Sequence, residues 1–269
     1  MKRKTWFVAA AVMGTLFFGC KAKEQTAEAP PPEQPKAEAP AQPKAEAPAT
    51  APATTPAQPE AAASAPAVSK QGYDRALLRA SMLKDKAPET FQVKFVTTRG
   101  DFVVTVNRSW APIGADRFYN LVKHQFYDNA SFFRVVPGFV VQFGISAYPP
   151  VSAAWERANI KDEPVTQTNK RGYLTYAKTS MPNTRSTQIF INLKDNAGLD
   201  GQGFSPFGFV DAQGMKVVEM LYDQYGDSGG PDQDQISKQG KPYVDKGWPK
   251  LDSIKTATLM GAAAEAGKP

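Results

Sequence analysis

Cysteine and histidine are nearly absent from the 269 residues: Cys20 and His124 are the only ones. That scarcity excludes an intrachain disulfide and a Cys/His zinc site, which needs three or four ligands. A Cys–His nucleophile would need these two side chains together, and a Ser-His-Asp triad would have to be built on His124. His124 ends the stretch Leu121-Val122-Lys123-His124, which reads as the last turn of a helix. A surface imidazole at the negative end of the helix dipole accounts for it. An envelope hydrolase therefore lacks its usual partners. Long apolar runs are missing too. The longest, Trp6 to Phe18, falls short of the roughly 20 residues that span a bilayer. No stripe of Lys and Arg is interleaved with aromatics, so nucleic acid is not an expected partner.

The net charge of +6 divides unevenly: +3 in Lys2-Arg3-Lys4, −1 over residues 21–70, and +4 over residues 71–269. The basic cluster, the short apolar run and the small Gly19 before Cys20 have the layout of an export signal over residues 1–20. The placement of Cys20 resembles a bacterial lipoprotein signal, although Leu16 stands one position early with Phe17 in its place. On that resemblance Cys20 is lipidated and anchors the chain to a membrane. Lys21, where aspartate would signal inner-membrane retention, points to the periplasmic face of the outer membrane in the cell envelope.

From Lys21 to Lys70 there is no aromatic residue, and Val68 is the only aliphatic one larger than alanine. Such a stretch cannot bury enough apolar surface to offset its ordering entropy. The octapeptide Gln-Pro-Lys-Ala-Glu-Ala-Pro-Ala occurs at 34–41 and again at 42–49. We read residues 21–70 as a disordered Ala/Pro-rich linker reaching at most about 150 Å at roughly 3.1 Å per residue. The globular domain is expected over 71–269, with its core at about 91–259.

Within it, Phe91 to Thr98 and Phe102 to Asn107 alternate apolar and polar residues around Arg99-Gly100-Asp101. That predicts a β-hairpin, with the tripeptide serving as its turn and not as an adhesion motif. Asp116 to Gln125 carries Phe118, Leu121 and Val122 at helical spacing. Strand-like blocks follow at 131–136, 139–144, 172–177, 188–192, 207–210 and 254–259, with a second helix over Met215 to Tyr222. Many short strands with two isolated helices suggest a mainly β domain; periodicity alone fits a closed barrel or a sandwich.

In Phe132-Phe-Arg-Val-Val-Pro-Gly-Phe-Val-Val-Gln142 one guanidinium and one amide lie eight residues apart across a tight turn, among Phe and Val. A permanent charge in such a strand pair either makes a structural ion pair or points into a site shielded from water. This run, with Gly144, resembles the central signature of the cyclophilins. Pro182 to Asn192 (PNTRSTQIFIN) and Leu199 to Gly208 (LDGQGFSPFG) resemble their second and third, in the family's order, and the likeness extends from about Phe91 to Leu259. QGFSPFG and Trp248-Pro-Lys-Leu-Asp-Ser-Ile254 are similar to a bacterial branch.

The resemblance implies a closed eight-stranded antiparallel barrel capped by two α-helices, and a peptidyl-prolyl cis/trans isomerase without cofactor or metal. Its partners would be proline-containing polypeptides, bound by a monomer. Arg134 falls on the family's catalytic arginine and Gln142 on its ligand for the substrate carbonyl. Phe139, Val140, Phe190, Leu199 and Phe207 fall on or beside the proline pocket, joined by Ala177, Lys178, Gln188 and Phe204. Between Ala177 and Pro182 there is one residue more than usual, so a backbone contact there falls on Lys178 or Thr179. Gly198 stands where many eukaryotic members have tryptophan, which argues against strong cyclosporin binding. Phe133 replaces a common histidine. Gly198, Gly201 and Gly203 lack the strand-to-helix context of a phosphate loop. A catalytically idle peptide-binding chaperone or scaffold of the same fold is the alternative.

Overall fold

The computed structural model describes residues 72–261, all within one compact unit. The export signal, Cys20 and the linker over 21–70 lie outside the described residues. The alternating segments form the expected hairpin: β1 (Thr90–Thr97) pairs antiparallel with β2 (Asp101–Asn107). Phe91, Val93 and Phe95 from one strand and Phe102, Val104 and Val106 from the other point into a common core. Gly100, at φ 136°, makes the turn, so Arg99-Gly100-Asp101 is a connection, and Arg99 is tied to Asp252 through Nε at 2.8 Å.

Helix α1 (Pro112–Lys123) buries Phe118, Leu121 and Val122 against the sheet, where Phe118 meets Phe207 and Tyr127 at ring separations of 5.2 and 5.6 Å. Burying each such ring is worth about 2–3 kcal/mol. The helix begins four residues before the expected Asp116. No local side chain caps it; instead the Glu163 carboxylate accepts from the backbone N–H groups of Ile113 (2.6 Å) and Gly114 (2.8 Å). These are orphan donors at the positive end of the helix, which suits an anion. At the other end His124 is a C-cap, mostly buried and not on the surface as expected. Its Nδ1 lies 2.6 Å from Asp74 Oδ2, and this bond is the largest cause holding the Asp74 carboxyl below its usual range.

Six more strands complete the sheet: β3 (Arg134–Val136), β4 (Val140–Phe143), β5 (Tyr173–Tyr176), β6 (Ile189–Asn192), β7 (Pro206–Val210) and β8 (Ile254–Met260). Their order, β3-β4-β6-β5-β7-β2-β1-β8, is antiparallel throughout and strongly curled. The expected closed barrel is corrected to a curled half-barrel. β3, three residues long, and β8 remain the two ends of the ladder, and a single bridge, Ser131 to Ser253, joins the chain beside them.

Two capping helices are also too few. Besides α1 and α3 (Ala212–Val218), the described residues hold α2 (Pro149–Trp155), α4 (Gln233–Gln239) and α5 (Lys241–Gly247). Ile236 of α4 and Val244 of α5 form a second apolar cluster with Phe133 and Ile145, flanked by Tyr243, Trp248 and Leu251. The C-terminal segment is thereby pressed onto the residue that precedes Arg134. The chain entering the domain is docked as well: Leu77 is buried and its carbonyl accepts from Trp155 Nε1 at 2.8 Å.

Candidate active site

Pro137 and Gly138, the latter at φ 65°, form the tight turn from β3 to β4 that places Arg134 directly opposite Gln142. The ladder continues the row: Gln142 faces Phe190 on β6, and Phe190 faces Thr175 on β5. Because side chains alternate along a strand, this row lies on one face. The intervening Val135, Val141, Ile191 and Leu174 fill the core on the other. Arg134 and Gln142 thus stand on the outer face of the sheet.

Three contacts fix the guanidinium. Arg134 Nη1 donates to Gln142 Oε1 at 3.1 Å, Nε donates to Asp227 Oδ1 at 2.5 Å, and the guanidinium carbon lies 5.8 Å from the Phe139 ring centre. Gln142 is itself oriented, since its Nε2 donates to Gln188 Oε1 at 2.9 Å. Of the two roles open to Arg134 from its sequence, the ion pair is present, and the side chain also takes its place in the row with Gln142. The pair does not bury the charge, as the Arg134 side chain is 24% exposed and Asp227 60% exposed.

An apolar wall adjoins the row. Phe190 is buried and meets the Phe204 ring edge-on at 5.7 Å, and the Lys178 ammonium lies 5.2 Å from Phe204. Val140 shares the Gln142 face, two residues along β4. Leu199 is half-buried in the 3-10 turn Ala197–Gln202, and its carbonyl accepts from Phe204 N–H at 3.3 Å. Ala177 N–H donates to the Gln188 carbonyl at 2.9 Å. Thr179 N–H is spent on Thr184 Oγ1, so of the two candidates for a backbone contact Lys178 is the one that remains.

Phe207 is a correction. Its side chain is fully buried among Phe118 and Tyr176, inside the core and on the opposite face of the sheet from the row. Strand alternation decides this: Phe207 points inward, so the wall on this side is made by Phe204.

The loops that carry the wall are held by buried amides that sequence reasoning missed. Asn169 Nδ2 donates to Asp200 Oδ1 (2.7 Å) and to the Phe204 carbonyl (2.8 Å), while its Oδ1 accepts from Thr175 Oγ1. Asn196 Nδ2 donates to the Phe139 carbonyl at 3.0 Å. Also missed was a cavity of about 470 Å³ on the far side of Gln188, lined by Phe126, Ile145, Trp155, Thr187 and Lys238; it contains neither Arg134 nor Gln142. It forms where α2 and α4, about eighty residues apart, meet, and no local pattern announces such a meeting.

A fixed cationic donor beside an apolar wall and an oriented amide can do one kind of chemistry without proton transfer: stabilise a charge or lone pair that develops on a bound, uncharged group. Comparison with known proteins agrees in kind. Residues 92–241 match the family described as cyclophilin type peptidyl-prolyl cis-trans isomerase/CLD. A peptidyl-prolyl cis-trans isomerase of Acinetobacter baylyi is 34% identical over 134 residues, 48% of this chain and 70% of that protein. Peptidyl-prolyl cis-trans isomerase A of Dickeya dadantii is 32% identical over 164 residues, 56% of this chain and 82% of that protein. A crystal structure of a cyclophilin type isomerase from Cryptosporidium parvum covers 67% of this chain and 99% of its own, with TM-score 0.47 and 19% identity. With the family match spanning more than half its length and curated isomerases aligned over most of theirs, the chain belongs to the cyclophilin-type peptidyl-prolyl cis-trans isomerases.

Proposed function

We propose that Arg134 and Gln142 isomerise X-Pro bonds of exported polypeptides, in a domain tethered to the cell envelope through a lipid on Cys20, at the periplasmic face of the outer membrane. The observation that carries the assignment of the site is the hydrogen bond from Arg134 Nη1 to Gln142 Oε1 beside the Phe139, Phe190 and Phe204 rings. Rotation about X-Pro is slow because amide resonance gives the C–N bond a barrier of about 18–20 kcal/mol. A donor directed at the prolyl nitrogen stabilises the twisted state, in which that nitrogen regains its lone pair. Arginine suits the task because it does not deprotonate. The wall takes the proline ring, with Val140 and Leu199 at its margins. Gln142 takes the neighbouring carbonyl, and Ala177, Lys178 and Gln188 border the peptide backbone.

Shortening a step of tens of seconds to about ten milliseconds needs roughly 10³ to 10⁴-fold, or about 4–6 kcal/mol. One preorganised donor supplies about 2.7–4 kcal/mol of that, and clamping of the ring supplies the rest. A catalytically idle peptide binder draws its support from Asp227, which already occupies Arg134 Nε. A protease-coupled assay of the full-length chain on an X-Pro peptide separates the two. Turnover that Arg134→Ala lowers by about 10² to 10³ is expected, and turnover equal to the uncatalysed rate in both chains would sink the proposal.

A further inference from the structure

We infer that Asp227 is a positioning residue for Arg134, holding the guanidinium so that its Nη groups are presented to the twisting prolyl nitrogen. The inference rests on the reading of Arg134 as the donor, and adds a residue from a segment to which neither the motifs nor the pocket wall assigns a role.

An arginine at the end of a sheet has few means of staying still. β3 is three residues long, Arg134 is its first residue, and only β4 flanks it in the ladder. The side chain has four rotatable bonds and about 2 kcal/mol of rotamer entropy, and one hydrogen bond to Gln142 leaves the guanidinium free to swing about it. A second anchor at Nε, the nitrogen nearest the stem, removes that freedom. Asp227 Oδ1 supplies it at 2.5 Å, and Nη2 is left without a hydrogen-bond partner among the described residues.

The placement of Asp227 is built, not incidental. Its loop turns at Gly226 (φ 61°), whose N–H donates to the Asp223 carbonyl at 2.9 Å. Gly229 N–H donates to the Tyr225 carbonyl at 3.0 Å, and the Gly229 carbonyl accepts from Trp248 Nε1 at 2.7 Å. Gly230 lies so close to Phe133 that an added Cβ would stand 2.8 Å from the Phe133 carbonyl oxygen. The loop therefore abuts the backbone of the residue before Arg134, and the α4–α5 segment behind it packs on the Phe133 ring. With Asp227 60% exposed, the ion pair adds little to the stability of the fold. Its consequence is the direction of one side chain.

The test uses the full-length chain, with kcat and KM on an X-Pro peptide measured for Asp227→Ala and Asp227→Glu beside the wild type and Arg134→Ala. Asp227→Ala is expected to lower kcat about tenfold, as misplacement of a catalytic group does, with KM held within about twofold. Asp227→Glu is expected to recover most of the loss, and the melting temperature is expected to stay within about 3 °C. The ¹H–¹⁵N resonance of Arg134 Nε–Hε, identified by its loss in Arg134→Lys, is expected to shift and broaden in Asp227→Ala. An unchanged or faster kcat in Asp227→Ala overturns the inference, as does a loss of kcat with the Nε–Hε resonance unmoved. If the wild type and Arg134→Ala turn over alike, the assignment of the donor falls, and the positioning role falls with it.

Discussion

Gln142 stands across the β3–β4 ladder from Arg134, and the amide that accepts from Arg134 Nη1 at 3.1 Å gives its own N–H to Gln188 at 2.9 Å. The second bond decides the first. With one Nε2 hydrogen given to Gln188, the oxygen of Gln142 faces the guanidinium, so one glutamine is oriented by another.

From this follows the expected size of the loss at Arg134. Arg134→Ala should lower kcat/KM by about 10² to 10³, the value of one preorganised donor, while the affinity for a proline peptide changes far less. A coupled assay together with calorimetric titration reads both, and a comparable loss in affinity and turnover would assign Arg134 to binding alone.

Gly144 follows β4 at φ 106°, and a Cβ there would stand 2.5 Å from the Thr187 carbonyl oxygen and 2.9 Å from Gln188 Cα. Gly144→Ala combines a left-handed backbone with a backbone clash. It is expected to cost about 2–4 kcal/mol in urea unfolding and to impair turnover by displacing Gln188. A loss under about 1 kcal/mol would show that the two segments separate easily.

Asp128 accepts from Ala257 N–H at 2.9 Å, and burial pushes its carboxyl above the ordinary value of 3.8. Because the folded pKa is raised, the folded state favours the neutral acid. The contribution to stability is complete below the ordinary value and is lost as the pH rises through the folded one. Asp128→Asn keeps the acceptor without the charge. It should melt together with the wild type near pH 3 and increasingly above it toward neutrality. A constant difference across that range would refute the assignment.

The anchoring reading predicts that the wild-type chain, expressed with its own leader in a bacterium, sediments with membranes and incorporates labelled fatty acid. Cys20→Ala is expected to do neither, because a single charged, proline-rich linker has no affinity for lipid to replace acyl chains. Equal sedimentation of the two would leave Cys20 an incidental thiol.

The β1–β2 hairpin was legible because its strands alternate buried and more exposed residues over a core, as Phe91, Val93 and Phe95 show, while β4 and β6 were legible as short apolar runs. The facing of Arg134 and Gln142 was legible because they lie eight residues apart across the tight Pro137-Gly138 turn. What escaped depends on partners distant in the chain. The start of α1 is set by Glu163, some fifty residues on, and the orientation of Arg134 by Asp227, 93 residues on. Phe207 was misassigned because the direction of a side chain in β7 depends on a register that shifts against β5 between Leu174 and Thr175. The pairing of α4 with α5 shows no stronger signal than one buried aliphatic in each short helix, Ile236 and Val244, among polar residues.

The seam between β3 and β8 has a thermal consequence. Among the described residues the bridge at Ser131 and Ser253, with bonds from Phe132 N–H to the Asp252 carbonyl (3.0 Å), from Ile254 N–H to the Ala130 carbonyl (2.8 Å) and from Ala257 N–H to Asp128 Oδ1 (2.9 Å), holds the sheet's ends together. A line so thinly bonded opens locally at lower free energy than the ladder around it, and it begins three residues before Arg134. Warming would then disarm the enzyme by unzipping its margin while the rest of the β-sheet is still intact, so inactivation would run ahead of melting.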